Sequence, residues 1–223
     1  RLSRGLGDVY KRQFEDGENV FYYITTMNEN YVHPDMPEGV EEGIVRGLYP
    51  LKKSTKKGKK RVQLMSAGTI MREVEAAAVI LEKDYGVAAD IWSMTSVNEL
   101  ARDGHKVSRR NMMNPAEEPE VPYVTQCLSP TEGPIIAATD YIRAHTNQIR
   151  EFMPRGFTVL GTDGFGRSDT RAQLREFFEV DRRYVVLAAM TALADEGVVS
   201  RADVAKVMTD LGIDPAKPDP TTV

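Results

Sequence analysis

From Arg61 onward the chain repeats one alternation: a short β-branched run, then a longer stretch with apolar residues on one helical face. Strands alternating with amphipathic helices read as a parallel sheet covered by helices. Val62–Ala67 is the first strand of this kind, and Gly68 its turn. Ile70, Met71, Val74, Ala77, Ala78, Leu81 and Tyr85 then trace the apolar stripe of a long helix, with Gly86 at its C-cap. Ala89–Thr95 is a second strand. Ser96 can cap the helix after it, with Glu99 in capping-box position. Further strands are expected at Tyr123–Cys127, Ile135–Thr139 and Phe157–Gly161. Helices are expected at Tyr141–Met153, Thr170–Phe178, Arg182–Ala194 and Ser200–Gly212, the last opened by a Ser200/Asp203 capping box. The expected class is α/β: a three-layer open, mostly parallel sheet.

The segment ahead of Arg61 breaks this pattern. Residues 19–27, NVFYYITTM, read as a strand buried on both faces, because apolar and β-branched side chains run without alternation. Glu38–Gly47 reads as a short helix. One strand cannot satisfy its own backbone groups, so residues 14–51 are expected to be the last strand and helix of a second α/β domain. On this reading the chain is the C-terminal part of a longer protein. Residues 1–13 join poorly to the segment after them and read as a leader foreign to the natural protein. Residues 52–60 read as a basic linker, and 61–223 as the complete C-terminal domain.

Charge supports the linker. The stretch KKSTKKGKKR, residues 52–61, holds seven of the 29 basic residues, so the remainder is strongly acidic against 33 Asp and Glu. It contains no aromatic residue for stacking, so a solvated linker is favoured over a nucleic-acid site. No apolar run approaches the ~18 residues of a membrane span. A single cysteine, Cys127, excludes an internal disulfide and fits a reducing cytoplasm.

Chemical motifs are sparse. No glycine-rich nucleotide loop comes after a strand. His33, His105 and His145 lie far apart and show no metal-ligand spacing. Cys127 reads as a structural thiol. The richest polar cluster is GTDGFGRSD, residues 161–169. It reads as a strand-to-helix connection pinned by Asp163, by Asp169 as a cap, and by an Arg167 ion pair. A ligand site at a strand's carboxyl end is the alternative. Thr162-Asp163-Gly164 lacks the downstream asparagine of a thiamine-diphosphate magnesium motif, since no asparagine occurs after Asn147. Asn28, Glu29, Asn30, Tyr31 and His33 bunch polar groups after the first strand.

Several long motifs carry a family resemblance. FYYITTMNENYVHPDMPEGVEEGIVRGLYPL resembles the end of the middle domain of the homodimeric decarboxylase component of bacterial pyruvate dehydrogenase complexes. SVNELARDGHKVSRRNMMNP, VPYVTQ and LGTDGFGRSDTRAQLREFFEVDRRYVV are similar to its C-terminal domain. The resemblance runs from about Phe14 to the tail. It implies a transketolase-like C-terminal fold and a homodimer. It implies a full-length parent that uses thiamine diphosphate and magnesium to decarboxylate pyruvate, and that acetylates the lipoyl arm of a dihydrolipoyl acetyltransferase. In that family the first domain holds the diphosphate and magnesium, and the middle domain supplies the activating glutamate and most catalytic histidines, both sets upstream of the position of Phe14, so this stretch is expected to hold no catalytic, cofactor or metal residue. By analogy with transketolase, Asn28, Glu29, Asn30, Tyr31 and His33 become substrate-entrance candidates. Here the family's usual NENYHMP reads NENYVHP, with His33 one place later. A non-catalytic assembly or regulatory domain reusing the fold is the other reading. Neither involves nucleic acid or membrane.

Overall fold

The computed structural model describes residues 7, 9–23, 30–32, 34–58 and 60–223. Two compact units divide the chain, Arg1–Met36 and Pro37–Val223. In the first, Tyr10–Glu15 form a π-helical turn. Arg12 pairs with Glu18 at 2.5 Å, and the Gln13 amide donates to the Val20 carbonyl. Residues 19–23 form no strand, and Phe21 and Tyr23 are each 87% exposed. No described residue offers them a ladder of backbone partners. Residues 24–27 of the expected strand lie outside the described residues.

The second unit opens with helix α1, Glu41–Arg46, closed by Gly47 at φ +99°. Strands β1 (Tyr49–Lys52), β2 (Arg61–Ser66), β3 (Ala88–Ser93), β4 (Ile135–Ala138) and β5 (Phe157–Leu160) form one sheet in the order β1-β3-β2-β4-β5. All neighbours are parallel except β1, which runs antiparallel along β3. Helix α2 (Met71–Asp84) joins β2 to β3, and α3 (Val97–Met113) with α4 (Tyr123–Leu128) carries the chain across to β4. After β4 come α5 (Arg143–Asn147), a 3-10 turn at Arg150–Phe152 and β5; α6 (Arg171–Phe177), α7 (Arg182–Asp195) and α8 (Arg201–Asp210) complete the unit.

Alternation along β2 builds three layers. Val62 and Leu64 face a core shared with α2, α7 and α8, including Leu81, Val186, Leu193 and Val207. Met65 faces a second core with Trp92, Leu100, Val124, Leu128 and Phe152. The sheet is buried on both faces, as helices on two sides require.

Four expectations change. Tyr123–Leu128 is a helix, not a strand. Val124 and Leu128, four apart, are both fully buried, so helical spacing fills the core where alternation would not. The long helix over Tyr141–Met153 shrinks to α5 and a 3-10 turn; Arg150 bonds Asn147 Oδ1 and the Phe157 carbonyl across the break. The helix and edge strand of residues 41–52 belong to the second unit. Leu48 is fully buried beside Trp92, and Tyr49–Lys52 pairs with β3. Finally, the basic stretch is tied down: the Ser54 N–H donates to Asp90 at 2.8 Å, and Arg61 donates to the Lys56 carbonyl at 2.6 Å.

Candidate functional site

The chain passes from β2 to β3 on one side, then crosses back to β4 on the other side of β2. Where connections diverge in this way, the carboxyl ends of the central strands leave a crevice. Here that crevice is a cleft of about 290 Å³. Thr69 and Ile70 contribute the β2 side, Asp140 the β4 side, and Thr162, Gly164 and Gly166 the loop after β5.

That loop is held from both flanks. The Thr162 Oγ1 hydroxyl donates to the Asp140 carbonyl at 2.8 Å, and the Thr162 N–H to the Tyr141 carbonyl at 2.9 Å. Asp163 accepts from the Arg143 backbone N–H and from its Nε at 2.7 Å. Gly164 sits at φ +109°, and a Cβ there would lie 2.6 Å from the Pro220 carbonyl oxygen, so the tail fixes this position as glycine. A Cβ on Gly166 would meet nothing within 4 Å, which leaves its backbone open to approach.

The third wall is α6 and its approach. Arg167, Arg171 and Arg175 recur every fourth residue and all line the cleft. Their charges are committed differently. Arg175 pairs with Glu73 of α2 at 3.0 Å, and Glu73 also takes Arg182 Nε at 2.8 Å. Burial disfavours the charged Glu73 carboxylate, yet the bonds and charge of Arg182 and Arg175 outweigh it and hold its pKa below the usual carboxylate value. Arg167 lies over the Phe177 ring, 4.5 Å from its centre.

Some polar expectations shift in this region. Thr170, not Asp169, caps α6, accepting from the Gln173 N–H; Asp169 instead accepts from the Thr170 N–H at 2.6 Å. Arg167 stacks on an aromatic ring, and the expected ion pair is not found among the described residues. Of the substrate-entrance candidates, Asn28, Glu29 and His33 lie outside the described residues. Asn30 is exposed and Tyr31 half-buried, both in the first unit. His105 sits 3.5 Å from Glu151, and the ring of His145 lies 4.8 Å from that of Tyr141. Cys127 is half-buried in α4, and burial pushes its thiol pKa up, so it is not an activated nucleophile. No group of three metal-ligating side chains occurs among the described residues, and no described helix is long and apolar enough to cross a membrane.

The Glu73–Arg175–Arg182 cluster was not expected. Its trace in the sequence is Glu73 itself, which occupies an inward position between Ile70 and Ala77 on the α2 stripe.

This fold is that of a transketolase-like C-terminal domain. The family described as "Transketolase-like TK C-terminal domain" matches residues 47–181, more than half of the chain, and the chain belongs to it. The family described as "Pyruvate dehydrogenase E1 component middle domain" matches residues 4–34. Over nearly its whole length the chain is similar to proteins named pyruvate dehydrogenase E1 component, so the resemblance read from the motifs holds. The protein of Cupriavidus necator is 52% identical over 98% of this chain and 24% of its own length. That of Pseudomonas aeruginosa is 51% identical over 94% and 24%. That of Escherichia coli K12 is 49% identical over 96% and 24%. The chain thus spans about a quarter of the length of the curated relatives it matches. Among solved structures, a transketolase from Leishmania mexicana aligns with TM-score 0.45 at 16% identity, over 82% of this chain and 20% of that one.

Proposed function

We propose that this chain is the C-terminal portion of a cytoplasmic, thiamine-diphosphate-dependent pyruvate dehydrogenase subunit. The parent decarboxylates pyruvate and transfers the acetyl group to the lipoyl arm of its acetyltransferase partner. The present stretch contributes structure and dimer contacts. The supporting observation is identity of 52% along 98% of the chain to a pyruvate dehydrogenase E1 component.

Thiamine diphosphate and magnesium belong, on this reading, to other domains of the parent. The described residues do not fit them. The one sequence that approaches the magnesium motif, Thr162-Asp163-Gly164, has its carboxylate engaged by Arg143 at 2.7 Å. No catalytic step is assigned to this chain.

The test is a graft. Residues 14–223 replace the matching stretch of the Pseudomonas aeruginosa relative, and the chimera is assayed for mass and for pyruvate oxidation with thiamine diphosphate and magnesium. A dimer that oxidises pyruvate is the expected result. A chimera that melts like the parent but neither dimerises nor oxidises pyruvate would overturn the assignment. The chain by itself is expected to turn over no pyruvate, and measurable turnover would refute the division of labour.

A further inference from the structure

One wall of the switch-point cleft is a single run of chain, residues 161–180: the loop after β5, then α6 and the turn into α7. Phe178 in this run lines both that cleft and a second cavity of about 250 Å³. Lys217, Asp219, Pro220 and Thr221 cover the second cavity. They belong to a strap, residues 214–223, that touches the wall near both ends. At the loop, the buried Pro220 sets its carbonyl oxygen against Gly164. At the end of α6, Lys217 Nζ donates to the Phe177 carbonyl at 2.9 Å and to Glu179 Oε1 at 2.8 Å. That carbonyl belongs to the last turn of α6, where no helical donor remains for it. Glu179 is the one non-glycine residue at positive φ among the described residues, +60°, a backbone state that persists where its surroundings hold it. Lys217 also lies 5.7 Å from the centre of the Phe177 ring, the ring on which Arg167 of the loop stacks.

We propose that residues 214–223 are a latch that sets the width of the switch-point cleft. Seated, the strap holds both ends of the wall. Glu73 grips the middle of α6 through Arg175 at 3.0 Å, so a lifted strap frees the ends about that fulcrum and joins the two cavities. The strap moves as a piece. Pro215, Pro218 and Pro220 fix three φ angles within six residues. Its turn bonds are local, from the Lys217 N–H to the Asp214 carbonyl and from the Thr222 N–H to the Asp219 carbonyl. Its pivot comes after Ile213, which is 8% exposed and anchored. A strap that only added packing would stabilise the whole unit, whereas a latch acts on the wall. This proposal is independent of the pyruvate assignment, because it concerns residues of the second unit alone.

The experiment is hydrogen exchange by mass spectrometry on the 223-residue chain, on a chain ending at Ile213 and on Lys217→Met. The reporters are the amides of Phe178, Glu179 and Val180, bonded to the carbonyls of Leu174, Glu176 and Arg175. The references are the amides of β2 and β3. Without the strap the reporters should exchange at least tenfold faster while the references hold, and trypsin should cut after Arg167 at least tenfold faster. Lys217→Met keeps the apolar stem and removes the donors. It should free the reporters to a similar degree but speed cleavage after Arg167 much less, because Pro220 stays seated on Gly164. Lys206→Ala, on the exposed face of α8, should exchange like the unaltered chain. Should the shortened chain fold poorly, Lys217→Met alone decides. Reporters that Lys217→Met leaves unchanged would overturn the proposal. So would references that speed up by the same factor as the wall, since the strap would then stabilise the unit as a whole.

Discussion

Arg61 reaches diagonally across the sheet to Asp90. Its own partner on β3 is Ala88, yet its Nη1 lies 2.7 Å from both carboxylate oxygens of Asp90, two residues further along the same face. Asp90 also accepts from Gln63 Nε2 at 2.9 Å and from the Ser54 N–H, while Gln63 Oε1 takes the Trp92 indole N–H at 2.7 Å. One carboxylate thereby ties β2, β3 and the segment after β1 together.

This network predicts a specific stability loss. Asp90 is 7% exposed, and Asp90→Ala would take the shared carboxylate from the half-buried Arg61 and the buried Gln63. Breaking one side of such a buried pair costs about 3 kcal/mol. Burial disfavours the charged Asp90, but the bonds from Arg61, Gln63 and Ser54 outweigh it and depress its pKa. A depressed carboxylate stabilises the fold fully above its unfolded value, and that contribution fades as pH falls through the lower folded value. Urea unfolding should therefore show stability falling as pH drops below the ordinary carboxylate value of 3.8, less steeply in Asp90→Asn. An equal acid slope in both proteins would show that the network is not what titrates.

Gly104 makes a prediction in which two effects oppose. It lies within α3, where alanine would be favoured by up to about 1 kcal/mol on helix propensity. A Cβ there, however, would run into the ring of Phe152, itself 6% exposed. Overpacking typically costs about 1–3 kcal/mol, so Gly104→Ala should be net destabilising in urea. Pairing it with Phe152→Leu should recover part of the loss. Additive losses in the double variant would deny the contact.

How much of this was readable from residues depends on the range of the interaction. Met71–Asp84 and Arg201–Asp210 were legible because stripes and caps are local; Ser200 and Asp203 form the expected reciprocal box. Strand β1 was not. YPLK has four residues, a proline tolerated only at a sheet edge, and a partner on β3 about forty residues away. Tyr123–Leu128 has strand-like composition, and its helix is imposed by the core that Val124 and Leu128 fill. For the cleft, three glycines in residues 161–169 advertised the loop. The arginine wall stayed hidden because Glu73 meets Arg175 and Arg182 from 102 and 109 residues away.

Cys127 should behave as a slow thiol. Burial raises its pKa, and the neighbouring Tyr123 hydroxyl and the charge of Arg46 only partly oppose this. Since the thiolate is the nucleophile, alkylation by iodoacetamide near about pH 8 should be at least tenfold slower in the folded chain than in urea. Equal rates would place the thiol in open solvent.

The last prediction concerns where the folded unit starts. Residues 38–52 are bound into the second unit by several independent contacts. Leu48 is fully buried, its carbonyl accepts from the Tyr123 hydroxyl at 2.9 Å, and the Arg46 guanidinium lies 3.8 Å from the centre of the Tyr123 ring. The Thr95 hydroxyl donates to the Ile44 carbonyl at 2.7 Å, and a Cβ on Gly47 would lie 2.5 Å from the Ser96 carbonyl oxygen. A chain beginning at Pro37 keeps all of these. A chain beginning at Arg61 loses them, bares the outer edge of β3 beside Trp92, and gives up about 2 kcal/mol for Leu48 alone. An unpaired flat edge next to exposed apolar surface invites pairing with another copy. Light scattering and thermal melts on the two truncated chains should therefore show the Arg61 form melting lower and associating more. Equal melting points and equal masses would mean that α1 and β1 contribute nothing to the unit, and that residues 38–52 are dispensable to this sheet.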